Sequence, residues 1–135
     1  MSDWVQKTEN RIFTIIKTRI TKQLSSKYPK LYITSDSTLI KDDQFPSISI
    51  EFTSEETGST TENGIRAIKS SVEIRVYTNK DQGKIVCDDI ASLVRSELSD
   101  IGYRRISVSP FAGLNSSTGY RVVNASRLYG DCDIS

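Results

Sequence analysis

Apolar positions recur at helical spacing through the first part of the chain. Val5, Ile12, Ile16, Ile20 and Leu24 fall on one stripe, with Ile15 widening it, and Lys7, Arg11, Lys17, Arg19 and Lys22 lie largely outside it. That pattern predicts an amphipathic helix over 3–26, capped by Ser2 or Asp3. "KYPK" stops it, because Pro29 disfavours helix at Tyr28. The period then changes to that of a strand. "LYITSD" (31–36) is a short strand candidate and "IKDDQFP" a turn-rich connection. In "SISIEF" (47–52), Ile48, Ile50 and Phe52 alternate with Ser47, Ser49 and Glu51. "TSEETGSTTENG" (53–64) holds no large apolar residue, so it reads as a long mobile loop or an arm that orders on a partner.

"AIKSSVEIRVY" (67–77) is the clearest strand. Ile68, Val72, Ile74 and Val76 alternate with Lys69, Glu73, Arg75 and Tyr77, the pattern of a strand buried on one face, as in an antiparallel sheet. Val86, Ile90, Leu93, Val94 and Leu98 predict a second helix over about 83–100, with Asp81 placed to cap it and Gly102 to end it. "YRRISVSP" (103–110) is a further strand, "FAGLNSSTG" a loop, "YRVVNASRLYG" (120–130) the last strand and "DCDIS" (131–135) a loose tail. The order α-β-β-β-α-β-β predicts a single α+β domain over 1–135, an antiparallel sheet with two helices packed on one face.

Composition sharpens this picture in one respect, the distribution of charge. The chain has 135 residues, 18 basic and 17 acidic, for a formal net charge of +1, so no global charge drives it to nucleic acid or anionic lipid. Yet residues 1–30 carry seven basic side chains against two acidic, and residues 31–62 one basic against seven acidic. The two segments can meet within one subunit, meet between copies, or simply face water. No apolar run approaches the ~20 residues of a membrane span, and no signal-peptide core is present, so the expected setting is the cytoplasm or a particle assembled there.

The side-chain inventory argues against catalysis. There is no histidine, which removes the commonest general base and metal ligand. Cys87 and Cys132 form no CxxC pair; Cys87, in "KIVCDDI", reads as a small core residue. "YTNKDQGK" (77–84) sits where a phosphate-binding loop would, but Gly83 is its single glycine and Ile85 follows Lys84, so it lacks the Walker pattern. The carboxylate pairs Asp42/Asp43, Glu55/Glu56 and Asp88/Asp89 fall in a turn, a polar loop and a helix, and none suggests two carboxyls facing across a cleft. Serines abound without a GxSxG elbow. Arg104, Arg105, Arg121 and Arg127 with Tyr77, Tyr103, Tyr120 and Tyr129 could form a base-stacking surface. Glu73 on the polar face and the lack of an RNP-like motif favour packing across strands instead.

Several segments in their order carry a resemblance: "FPSISIEF", "ENGIRAIKSSVEIRVYTNKDQGK", "IASLVRSEL", "IGYRRISVSP" and "GYRVVNASRLYG". Together, over most of residues 25–130, they resemble small tail proteins of long-tailed bacteriophages. The likeness is strongest to tail terminator (tail completion) proteins, including those of contractile, phage-tail-like bacteriocins. "VYTNKDQGK" and "IGYRR" carry most of it.

The resemblance implies a structural protein with no catalysis and no cofactor. In that family the subunits form a ring, typically a hexamer, on the last ring of the tail tube. The ring ends tube growth and offers a surface to the neck. The implied partners are other copies of the chain, the tail tube protein, a neck or connector protein, the sheath in contractile tails, and DNA non-specifically through the lumen. The implied location is the head-proximal end of the virion tail, after assembly in the host cytoplasm. On this view the 53–66 loop and the nearby sheet edge meet the tube, with Glu55, Glu56, Thr60, Glu62, Asn63, Arg66, Asn79 and Lys80 as candidates. Lys7, Arg11, Arg19, Arg104 and Arg105 are the basic candidates for contacts between subunits, which suit a head-to-tail ring. A neck or head-completion protein on the other side of the joint is the alternative.

Overall fold

In the computed structural model, the described residues are 3–36, 44–56, 67–115 and 117–130. The first element is α1 (Asp3–Leu24), which buries Val5, Thr8, Ile12, Ile16, Ile20 and Leu24. These climb almost entirely in steps of four, so the helix lays an i±4 ridge on the layer beneath it. Ile15 lies off that ridge and is 40% exposed, so it does not widen the stripe as expected. The helix also ends at Leu24, two residues short of the expected boundary, and backbone bonds from Ser25, Lys27 and Tyr28 close its last turn.

The strands are β1 (Tyr32–Thr34), β2 (Ser47–Glu56), β3 (Ala67–Asn79), β4 (Arg104–Val108), β5 (Ala112–Gly113) and β6 (Thr118–Gly130). They form one sheet in the order β1-β2-β3-β6-β4, with β5 pairing β6. The α+β class and the helix–strand order hold, with three corrections. First, β1 runs parallel to β2, so the sheet is mixed; the long connection from β1 to β2 gives the chain room to return and enter in the same direction. Second, the expected 111–119 loop contains β5, a two-residue strand whose Ala112 and Gly113 pair Tyr120 and Gly119. A side chain at Gly119 would collide with the Phe111 ring, so this tight return requires glycine. Third, the 53–66 segment is not all loop. Thr53–Glu56 extends β2 in continuous antiparallel register with Ile68–Ser71. A ladder of backbone bonds needs no large side chain, so a polar composition did not exclude it.

The second helix, α2 (Gly83–Asp100), matches its expected span. It buries Cys87, Ile90, Ala91, Val94, Glu97 and Leu98 on the side that packs on β3 and β6, whose Val72, Ile74, Val76 and Val123 share the core with them. Each large apolar side chain so buried contributes about 1.5–3 kcal/mol. Asp81 does not cap α2. The N-cap is Gln82, with no side-chain cap, while Asn79 Oδ1 accepts the Gln82 N–H at 2.9 Å and fixes the turn.

At the other end Gly102 does stop the helix, at φ +96°. Its N–H reaches Ser99 O at 3.1 Å and the Tyr103 N–H reaches Leu98 O at 3.0 Å, a Schellman motif sealed by the buried pair Leu98 and Tyr103. Tyr103 is fully buried, and its hydroxyl lies 2.9 Å from Ser70 Oγ. The two helices are joined by Arg19, whose Nε meets Glu97 Oε2 at 2.5 Å and whose Nη2 meets Asp100 Oδ2 at 3.3 Å.

Candidate interaction surface

Even-numbered residues of β3 point to the helices and odd-numbered ones to the opposite face, where no helix packs. Strand register builds that open face in rows. Ser47, Tyr77 and Tyr120 form one, Ser49, Arg75 and Val122 the next, then Glu51, Glu73 and Asn124, and then Thr53, Ser71 and Ser126. Tyr77 and Tyr120 stack at 5.7 Å between centroids, and Tyr77 is buried. Arg75 Nη2 pairs with Glu73 Oε2 at 3.4 Å. Hydrogen bonding to Tyr77 pushes the Arg75 pKa up, against its partial desolvation, and the charges of Glu73 and Glu51 add to the rise. At the far end of this face Lys69 and Leu128 are both exposed, beside the termini of β2, β3 and β6.

The arginine–tyrosine set does not assemble into a stacking platform. Tyr103 is in the core, and Tyr77 is packed on Tyr120. Arg121 Nε lies 2.5 Å from Asp88 Oδ1 of α2, and Arg127 donates to Ile101 O at the α2 C-terminus, so both arginines brace the helix. Cys87 is likewise structural: its thiol donates to Val76 O at 3.3 Å, and burial pushes its pKa up to about 11. Among the described residues, no group of three metal-ligating side chains forms, and no helix is long and apolar enough to cross a membrane.

The candidate residues separate into groups. Glu55 and Glu56 belong to β2, in register with Lys69 and Ile68. Thr60, Glu62, Asn63 and Arg66 lie outside the described residues. Asn79 and Lys80 line a small hollow of about 230 Å³ at the β3–α2 turn, with Gly83, Lys84 and Phe111. Lys7 and Arg11 are exposed one turn apart on α1. Arg19 is committed inside the subunit by its two carboxylates. Arg104 and Arg105 share the β4 edge; Arg104 donates to Tyr103 O at 2.9 Å, and Arg105 is exposed with a left-handed backbone at φ +54°.

Two clefts, both invisible in the linear pattern, flank the sheet. One, of about 470 Å³, lies between α2 and β4 and is lined by Arg95, Arg104 and Arg105 with Ser92, Ser96 and Ser99. The other, of about 480 Å³, lies between α1 and β2 and is lined by Glu9, Asn10, Phe13, Ser35, Glu51 and Phe52. Residues distant in sequence build each, so no local motif signals either one. No family model matches this chain, and no curated protein matches it.

Proposed function

We propose that this chain is a structural virion protein that caps the head-proximal end of a phage-type tail tube as a ring, ends tube elongation and presents a surface for neck attachment. The resemblance of the ordered segments from 45 to 130 is the starting point. The observation that best supports the reading is the open sheet face, a broad polar surface with an exposed leucine and lysine at one end. That end is where β2, β3 and β6 finish together and where the polar 57–66 segment departs. A surface of this kind suits recognition of another protein more than it suits chemistry, because its charged groups are spread along strands and do not converge in a closed cavity. The tube contact is assigned to this end.

Because Thr53–Glu56 are strand residues, the informative deletion is 57–64, which spares the ladder. Electron microscopy of tube protein polymerised with the wild-type chain is expected to show tubes capped at one end and halted in growth. The deletion variant is expected to melt like wild type yet leave tubes uncapped. Wild-type protein that binds heads but never tubes would point instead to the head-side connector.

A further inference from the structure

The cleft between α2 and β4 gathers positive charge. It carries Arg95, Arg104 and Arg105 with the hydroxyls of Ser92, Ser96 and Ser99. Helical spacing puts Ser92, Arg95 and Ser99 on one flank of α2, and Glu97, which meets Arg19 of α1, on the other. The one carboxylate in the lining, Asp100, is held by Arg19, with Oδ2 at 3.3 Å from Nη2. Among the described residues, no carboxylate pairs with Arg95, Arg104 or Arg105. Like charges brought together repel, so an anion that enters relieves the cleft as well as binding to it.

The backbone contributes to this gathering. Neighbouring residues of a regular strand project to opposite faces. Between Arg104 and Ser107, β4 advances one residue more than its partner β6, and Arg105 stands in this bulge at φ +54°. The bulge breaks the alternation, and Arg104 and Arg105 both line the cleft. Arg104 is fixed there by its Nη1, which donates to Tyr103 O at 2.9 Å and lies 3.4 Å from Ser99 O. Arg95 and Arg105 have no side-chain hydrogen bond or ion pair among the described residues. A left-handed backbone at a non-glycine residue is found most often at ligand clamps and active sites.

We propose that this cleft binds a doubly charged phosphate group, held between Arg95 of α2 and Arg104 and Arg105 of β4, with the serine hydroxyls of α2 as further donors. The donor arrangement selects the group. A carboxylate offers two oxygens in one plane and is satisfied by a single guanidinium fork. Here the donors stand on two walls, and a tetrahedral phosphate directs oxygens at both. Three guanidiniums also exceed what a single negative charge balances. All three arginines are exposed, so a phosphate carried at the end of a larger molecule can enter as well as the free ion. The site is independent of the tail reading.

Isothermal titration calorimetry of the full chain tests this in a low-salt buffer at about pH 8, where phosphate groups are mostly dianions. The titrants are orthophosphate, phenyl phosphate and malonate at matched ionic strength. Both phosphates are expected to fill one site per chain, more weakly as salt is added, and malonate to bind far less tightly. Tighter binding of phenyl phosphate marks a carried phosphate as the ligand; equal affinities mark the free ion. Arg95→Gln and Arg105→Gly are each expected to weaken phosphate binding about tenfold. Arg105→Gly separates strain from function: glycine suits φ +54°, so this variant is expected to melt no lower than wild type while still losing phosphate. Lys22→Gln, exposed on α1, removes the same charge elsewhere and is expected to bind as wild type does. No phosphate binding by the wild type, full binding by Arg105→Gly, an equal loss in Lys22→Gln, or malonate bound as tightly as phosphate overturns the site. Binding of double-stranded DNA without either phosphate overturns it too, and gives the cleft to a polynucleotide backbone.

Discussion

On β3, Val72, Ile74 and Val76 disappear under the helices, while Ser71, Glu73 and Arg75, one residue away in each case, look out from the opposite face. The backbone is shared and the ladder on both sides is the same, so the difference between the two faces lies in what covers them. Under the helices, side chains are closely packed, and any change in volume is felt. On the open face, side chains mostly touch their cross-strand neighbours, where each pair contributes a fraction of a kcal/mol. The stability of the domain therefore resides on one face. The other is less constrained away from its Ser47–Ser49–Tyr77 end, where side chains are buried.

The largest expected effect comes from the covered face. Ile74→Ala, a truncation in the centre of the core, should lower unfolding free energy by about 2–5 kcal/mol in a urea titration. A loss below about 1 kcal/mol would mean that the helices do not seal this face. Next comes Cys87. Its pKa of about 11, against an ordinary 9.0, means that the folded chain keeps a proton the unfolded chain gives up. The stability this supplies is complete below about pH 9 and is lost as pH rises through about 11, a fall on the order of 2 kcal/mol. Urea titrations at several alkaline pH values should show a steeper decline in wild type than in Cys87→Ala; equal slopes would refute the assignment.

Gly102→Ala should cost about 1–2 kcal/mol, because φ is +96° and a Cβ would stand 3.0 Å from the Arg127 guanidinium that closes the helix end. Thermal melting reads this directly, and an unchanged midpoint would contradict the lock. Smallest is the open face: Arg75→Ala should cost under about 1 kcal/mol, since its pair with Glu73 is half-exposed. A loss as large as that of Ile74→Ala would erase the distinction between the faces.

The covered face was legible in the sequence because it is written in periods. The 3.6-residue pattern of α2 gave both its boundaries, and Gly102 marked its end, since few residues tolerate φ near +96°. Alternation located β3 and the apolar half of β2. What escaped depends on partners remote in sequence. The parallel entry of β1, the two-residue β5 and the polar end of β2 are held by ladders to other strands. Ile15 looks like a core residue until the slant of the i±4 ridge excludes it. The left-handed Arg105 had no signal at all, because two adjacent arginines at the start of a strand do not announce a bulge. Of the candidate surface, the sequence singled out Arg104 and Arg105 as basic candidates but not their place on the edge strand β4. It could not show Arg95 beside them.

The kink in β4 has a further effect, on solubility. An exposed strand is a template on which another chain can add hydrogen bonds, and a flat one invites endless sheet growth. At β4 the extra residue and the turned backbone of Arg105 interrupt the outward row of amides and carbonyls after a single residue, with the charges of Arg104 and Arg105 at the break. The edge is thereby kept from templating further strands. Any contact at this edge must then be made by side chains, which salt can outcompete, and not by a backbone zipper that would be hard to undo.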